Sequence, residues 1–230
     1  MRKQVELSAE EFALMRRGAK VLEQDRHGEK VLLTPDGEVI KLFRRKRKVS
    51  STHLKNYALR FADNAERLGK LGIRTIEVEK VFHLNNPERD CVLYPLLQGD
   101  TLQKLLSERD DAERENLILQ FIDYVVFLHA KGIYFRSLHM GNVLVLPDGS
   151  LGVIDVSDMK LRKSSLGLWA RVRNFRAFLR RERDYELIKS FGARRFVDLY
   201  LEKSAVDKGL FFFMLKWMKN HPLRSLLQSK

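Results

Sequence analysis

Three residues of this chain have types and settings that suggest chemistry. Lys41 lies within the apolar run Val39-Ile40-Lys41-Leu42-Phe43. An ammonium among such neighbours needs a buried or ligand-borne anion, or an edge-strand position that leaves it in water. Asn142 follows Phe135-Arg136-Ser137-Leu138-His139-Met140-Gly141 and precedes the apolar run Val143-Leu-Val-Leu; Asp155 ends Gly152-Val-Ile-Asp155. Asparagine at one end of a hairpin and aspartate at the other offer hard oxygen donors. Mg²⁺ is held by a carboxylate or two completed by substrate phosphates. Taken singly, a strand lysine, a turn-capping asparagine and a strand-ending aspartate each have a plain structural explanation. Their combination favours phosphate chemistry. Other metal chemistry finds no support: His27, His53, His83, His129, His139 and His221 form no i,i+4 pair, and Cys91 is the sole cysteine. One cysteine also excludes an internal disulfide.

The elements that must position these residues follow from periodicity. Ser8 and Glu11 fit a capping box for a short helix bearing Phe12, Leu14 and Met15. Lys20 to Glu23 reads as a strand, as do Lys30 to Thr34 and Glu38 to Phe43 on either side of a Pro35-Asp36-Gly37 turn. From Ser51 to Leu71, apolar residues at Leu54, Ala58, Phe61, Ala65, Leu68 and Leu71 recur at helical spacing, and Gly72 marks the end. Thr75–Leu84 and Asp90–Leu97 read as two strands around Asn85-Asn86-Pro87. A short helix bearing Leu102, Leu105 and Leu106 is capped by Asp100 or Thr101, and a long apolar helix runs from Glu113 to Lys131. A hairpin turns at Pro147-Asp148-Gly149, and everything from Ser164 onward reads as helix. The expected class is α+β, with a strand-rich region at 1–95, a helix-rich region at 96–230 and a boundary near Pro95.

Ordered this way, the residues resemble a known family. Gly132-Ile-Tyr-Phe-Arg-Ser-Leu-His-Met-Gly-Asn-Val-Leu-Val is similar to the Gly-x-x-His-Gly-Asp-Leu-His-x-Gly-Asn-x-Leu loop of the bacterial lipopolysaccharide core (Kdo/heptose) kinases. The likeness extends especially to the members called toluene-tolerance proteins. It covers roughly Val21 to Leu161, is specific in that loop, and is weaker in the glycine-rich region and after Leu161. It implies a protein-kinase-like two-lobed fold, with a small strand-rich N-lobe and a helical C-lobe. It also implies ATP and Mg²⁺ as cofactors, an inner-core sugar as acceptor, and a cytoplasmic location, extending to the cytoplasmic face of the inner membrane. On this resemblance Lys41 would hold the nucleotide α/β-phosphates, and Asn142 and Asp155 would hold Mg²⁺. Tyr94, Leu96 and Gln98 would belong to the hinge that offers backbone groups to adenine. His139 would be a structural member of the loop.

The departures are specific. Ser137 stands where the family carries its catalytic aspartate, and a hydroxyl is no general base at neutral pH without help. Asp155-Val156-Ser157 replaces Asp-Phe-Gly, and Gln24 to Glu29 has one glycine where a phosphate-covering loop has three. The acid paired with Lys41 is open: Asn64 falls at the expected position, and Asp63 or Glu66 would serve with a shift of register. Asp158 offers an alternative carboxylate, though it lies beyond the strand end. Two readings remain: an ATP-dependent sugar kinase, and a pseudokinase that binds nucleotide or an envelope-assembly partner without transferring phosphate.

Composition bounds the partners. The chain has 230 residues, 44% hydrophobic and 32% charged, with 43 Lys+Arg against 30 Asp+Glu. A formal charge of +13 points to an anionic partner. A helix from Ser164 or Ser165 to about Arg181 is expected to bury Leu168, Trp169, Val172, Phe175 and Leu179. Arg171, Arg173, Arg176, Arg180 and Arg181 would populate its other side, suited to a phosphorylated glycolipid or an anionic membrane surface. The basic run Arg44 to Lys48 reads as a solvated loop. Leu210 to Met218 reads as a buried terminal helix. Nucleic acid is disfavoured, because no aromatic stacking platform or reading motif accompanies the charge. No secretory signal or membrane-spanning run is evident: the longest fully apolar stretch is Leu210 to Leu215, against roughly 20 residues for a span. The sequence is silent on oligomeric state.

Overall fold

The computed structural model describes residues 3–44, 56–218 and 223. The class is α+β, and the chain separates into two compact units, Met1–Gln98 and Gly99–Lys230.

The first unit is built on one sheet. Its elements are β1 (Val5–Leu7), α1 (Ala9–Met15), β2 (Lys20–Asp25), β3 (Gly28–Leu33), β4 (Glu38–Arg44), α2 (Tyr57–Lys70), β5 (Arg74–Thr75), β6 (Lys80–Leu84) and β7 (Arg89–Pro95). Six strands pair in the order β1-β6-β7-β4-β3-β2. All neighbours are antiparallel except β1, which adds to β6 in parallel. The capping box at the start of α1 is formed. Ser8 Oγ accepts from the Glu11 amide at 3.1 Å, and the Ser8 amide donates to Glu11 Oε2 at 2.8 Å.

Strand alternation sorts β4 and β7 between two faces. Ile40, Cys91 and Leu93 join Leu7, Phe12, Leu32, Phe82 and Leu84 in one buried cluster, with Leu42 against its edge. Lys41, Phe43 and Tyr94 take the opposite parity and meet Phe61 of α2. Burial pushes the Cys91 thiol up to about 12, so this cysteine behaves as a small apolar residue rather than a nucleophile.

Boundaries depart from expectation in two places here. The strand expected at Thr75–Leu84 is two pieces, Arg74–Thr75 and Lys80–Leu84, because Ile76 and Val78 bury their side chains in an irregular connection. Helix α2 begins at Tyr57, where Asn56 Oδ1 accepts from the Ala58 amide. The expected start at Ser51, Leu54, and the basic residues 45–48 lie outside the described residues.

The second unit carries β8 (Asp100–Thr101), α3 (Leu102–Glu108), α4 (Asp111–Ala130), β9 (Ile133–Phe135), β10 (Val143–Val145), β11 (Leu151–Val153) and β12 (Met159–Leu161), then α5 (Leu168–Phe178), α6 (Glu182–Phe191), α7 (Ala193–Lys203) and α8 (Lys208–Trp217). Strand β10 pairs antiparallel with β8 and β11, and β9 pairs antiparallel with β12. The β9–β12 ribbon was not expected from periodicity. Gly132 turns α4 into it at φ +75, with the Ser164 and Arg162 carbonyls where a Cβ would stand. The core is aromatic: Phe121, Phe175, Phe178, Phe196, Tyr200 and Phe211 are buried, and the Phe175 and Tyr200 rings meet edge-on at 4.6 Å.

Three expectations about the helical tail are corrected. Helix α5 starts at Leu168 behind Gly167 and ends at Phe178, not at Ser164 and Arg181. The Leu166 amide donates to the His129 carbonyl at 2.8 Å, which pins the chain before the helix can begin. Arg171 is not on a solvated face. It is buried, donating to the Leu166 carbonyl at 2.7 Å and the Tyr200 hydroxyl at 2.9 Å, whereas Trp169 is exposed. Arg173, Arg180 and Arg181 do reach solvent. Helix α8 buries Phe211 and Leu215 but exposes Leu210, Phe213 and Trp217, so it is not a buried helix throughout. Among the described residues, no helix is long and apolar enough to cross a membrane.

Candidate functional site

The chemistry-bearing loop of the second unit is held from both of its ends. The β10–β11 register pairs Val143 with Val153. This brings Asn142 opposite Ile154, whose amide donates to the Asn142 carbonyl at 3.0 Å. Asn142 ends a single 3₁₀ turn, Met140–Asn142, and is buried. Its side-chain Nδ2 donates to the Ser137 carbonyl at 2.9 Å, which closes the loop on itself and leaves the amide oxygen as the other polar end of that side chain.

Asp155 does not end the strand as the sequence reading has it. Strand β11 stops at Val153, and Asp155 stands two residues on in the left-handed region, φ +56 and ψ +51. Aspartate tolerates that region better than most residues, yet it is an uncommon conformation for any side chain but glycine. A second 3₁₀ turn, Val156–Asp158, follows and returns Asp158 toward the loop. Ser137 Oγ donates to Asp158 Oδ2 at 3.4 Å, a long bond that nonetheless puts a carboxylate at the serine.

Two residues that sequence reasoning missed, Asp184 and Gln103, support this loop. Asp184 of α6 is fully buried. Its Oδ2 accepts from the Met140 amide at 3.1 Å and its Oδ1 from Gln103 Nε2 at 2.7 Å. Burial pushes its pKa up, and those two donors with Arg181 and Arg183 pull it back. The one available signal was phase: Asp184 lies four residues before Ile188, the other buried residue of α6. His139 packs against Gly141, where a Cβ would lie 3.1 Å from His139 Nδ1. That ring nitrogen is buried and has no hydrogen-bond partner. Burial, then the Arg181 charge, hold the His139 pKa down at about 4 against the opposing pull of Asp155. His139 is therefore neutral at physiological pH.

Below the loop lies a continuous hydrogen-bonded chain. Arg171 Nη1 donates to the Tyr200 oxygen, and the Tyr200 hydroxyl meets His129 Nδ1 at 2.7 Å. His129 Nε2 meets Asn174 Oδ1 at 3.0 Å, and Asn174 Nδ2 donates to the Phe135 carbonyl at 2.7 Å. One tautomer satisfies every link: Tyr200 donates to Nδ1 and Nε2–H donates to Asn174. The chain ties α4, α5 and α7 to β9, the strand that feeds Ser137.

In the first unit, Lys41 projects from mid-strand β4 between Val31 and Val92, with its ammonium 5.3 Å from the Phe61 ring centroid and 5.9 Å from that of Phe43. Glu66 is exposed on α2 and accepts from Lys70 Nζ at 2.6 Å; Asp63 is half-buried and Asn64 buried on the same helix. Tyr94 is buried with its ring 5.8 Å from Phe61. The Leu96 amide already donates to the Gly37 carbonyl at 3.0 Å, so it is committed within the sheet. Gln98 is exposed.

The donor set can be tested against Mg²⁺. Among the described residues, no group of three or more His, Cys, Asp or Glu side chains could hold a metal ion. Asn142 and Asp155 supply two hard oxygen donors, which matches an ion completed by phosphate oxygens and water and does not match a dedicated protein cage. The chain matches no protein-family model and no curated protein.

Proposed function

We propose that the protein is a protein-kinase-like phosphotransferase that moves the γ-phosphoryl group of ATP to a hydroxyl of a lipopolysaccharide inner-core sugar. The observation that carries this reading is the closed loop around Ser137, with Asn142 tied to its carbonyl and the Asp158 carboxylate at its hydroxyl. In such a site Asn142 and Asp155 would hold the metal; a role of Lys41 toward the α/β-phosphates rests on the family resemblance alone. Mg²⁺, when bound, supplies neutralisation of phosphate charge. Asp158 takes the role of proton acceptor that Ser137 cannot fill. The acceptor hydroxyl loses its proton to Asp158, directly or through the Ser137 hydroxyl. Its oxygen bonds to Pγ as the bond from Pγ to the bridging oxygen breaks, and ADP leaves with that electron pair. Asp184 and Gln103 act as positioning residues through the Met140 amide.

The pseudokinase reading keeps two observations in its favour: Ser137 itself is no base, and the Leu96 amide is engaged within the sheet. A thermal-unfolding scan with and without ATP and Mg²⁺ separates nucleotide binding from its absence. Ligand at about 100 times its Kd adds roughly 2.7 kcal/mol, on the order of 5–10 °C for a chain of this size. A Mg²⁺-dependent shift that Asp155→Ala abolishes, with radiolabel transfer from γ-labelled ATP to phosphatase-treated core oligosaccharide, is the expected result. A shift without transfer selects the pseudokinase. No shift at millimolar nucleotide removes the kinase and leaves a pseudokinase that binds an envelope-assembly partner.

A further inference from the structure

Helix α8 divides its apolar residues between two faces. Phe211 and Leu215 turn inward, and the Phe211 ring packs 5.8 Å from Phe175 of α5. Leu210, Phe213 and Trp217 occupy i, i+3 and i+7, a single stripe on the other side. They are 50%, 56% and 72% exposed, and the Phe213 and Trp217 rings lie 5.9 Å apart. A stripe of this composition is costly to leave in water.

Charge identifies what covers it. Residues 162–230 contain 17 Lys and Arg against 6 Asp and Glu, so this third of the chain holds most of the net positive charge. From Lys208 to the last residue there are five basic residues and no acidic one. Within the helix, Lys216 is exposed beside the stripe, one residue from Trp217. A protein surface that buried this stripe would have to supply acids to match. A bilayer containing anionic lipid offers both terms at once: an interfacial zone for Leu, Phe and Trp, and negative headgroups for lysine and arginine. At ten residues, α8 can lie in the interface plane but cannot span it.

We infer that α8 docks the protein on anionic membrane surfaces, with Leu210, Phe213 and Trp217 inserted and Lys216 at the headgroups. This is independent of the phosphotransfer reading. It also moves membrane contact from the arginine side of α5, where the sequence alone places it, to α8.

Vesicle co-sedimentation of the full chain tests it, using phosphatidylcholine alone and a 3:1 mixture with phosphatidylglycerol. The chain has two tryptophans, Trp169 and Trp217; Trp169→Phe leaves Trp217 as sole reporter. Binding to the anionic vesicles, a blue shift of Trp217 emission, and a loss of binding of about tenfold or more in Phe213→Ser/Trp217→Ser are expected. Raising salt to about 0.5 M should weaken binding severalfold. Both substituted positions are exposed, and far-UV circular dichroism checks that the variant folds. The inference is overturned by equal binding to neutral vesicles, by undiminished binding of the double variant, or by no binding at all. It is likewise overturned if the protein sediments as a dimer that the double variant dissociates, which assigns the stripe to a second copy of the chain.

Discussion

His129 should make the protein acid-labile, and the size of the effect follows from its surroundings. The imidazole is buried, and its Nδ1 accepts from a tyrosine whose oxygen is already an acceptor for Arg171. Protonation would turn that acceptor into a second donor beside a guanidinium. Burial first, then the Arg171 charge, hold the pKa at about 4, against the Asn174 hydrogen bond, which raises it. In the unfolded chain the value is about 6.5. Between those values the unfolded state binds the proton and the native state does not, so stability is complete above pH 6.5 and falls as the pH drops toward 4. The full difference is about 3 kcal/mol, and about 2 kcal/mol of it is lost between pH 6.5 and 4.5. Urea unfolding at a series of pH values in that window measures it in the wild type and in His129→Gln. The variant is less stable at pH 7.5 because its chain of hydrogen bonds is broken, but its stability should fall with acid about 2 kcal/mol less than the wild type. His139 and Asp184 titrate in both proteins, so the difference isolates His129. Parallel pH profiles would refute the argument: the imidazole would then not be a buried neutral link beneath the loop.

Other substitutions address the site directly. Asp158→Asn should lower phosphoryl transfer by about 10²–10⁴-fold, the usual contribution of a general base, while leaving the Mg²⁺-ATP thermal shift in place. Adding Ser137→Asp to that variant should restore rate by returning a carboxylate to the loop; a double variant no faster than Asp158→Asn would place the acceptor hydroxyl elsewhere. Gly132→Ala combines the left-handed backbone with a Cβ driven into the Ser164 carbonyl and 2.8 Å from the Arg162 carbonyl. It should cost more than about 2 kcal/mol in chemical denaturation and loosen the β9–β12 ribbon; stability within about 0.5 kcal/mol of wild type would show that the turn relaxes freely.

Much of the fold was legible because periodicity and caps act locally. Ser8 with Glu11, the alternation through β4, the spacing along α2 and the long apolar run of α4 each report their own backbone state. The candidate loop was legible as residue types, Asn142 and Asp155, but not as contacts. Three-residue strands such as β9 and β12 carry too few side chains to show a period, so the ribbon stayed hidden within its flanking loops. Asp184 was missed because it sits in the charged stretch Arg180-Arg-Glu-Arg-Asp-Tyr-Glu, where only its phase with Ile188 distinguishes a buried carboxylate from a solvated one.

The sequence by itself determined the α+β class, the placement of Lys41 within an apolar strand, and an asparagine and an aspartate on either side of a hairpin. These depend on neighbours a few residues away. Tertiary structure decided the rest. It brought Asp158 back to Ser137 across 21 residues and set Asp184 under the Met140 amide across 44. It turned Arg171 inward to satisfy Tyr200 and left the Leu210–Phe213–Trp217 stripe outward. Whether a polar or apolar side chain is buried depends on which elements pack against its helix. That choice is made by the summed packing of the whole unit, and no local pattern of residues encodes it.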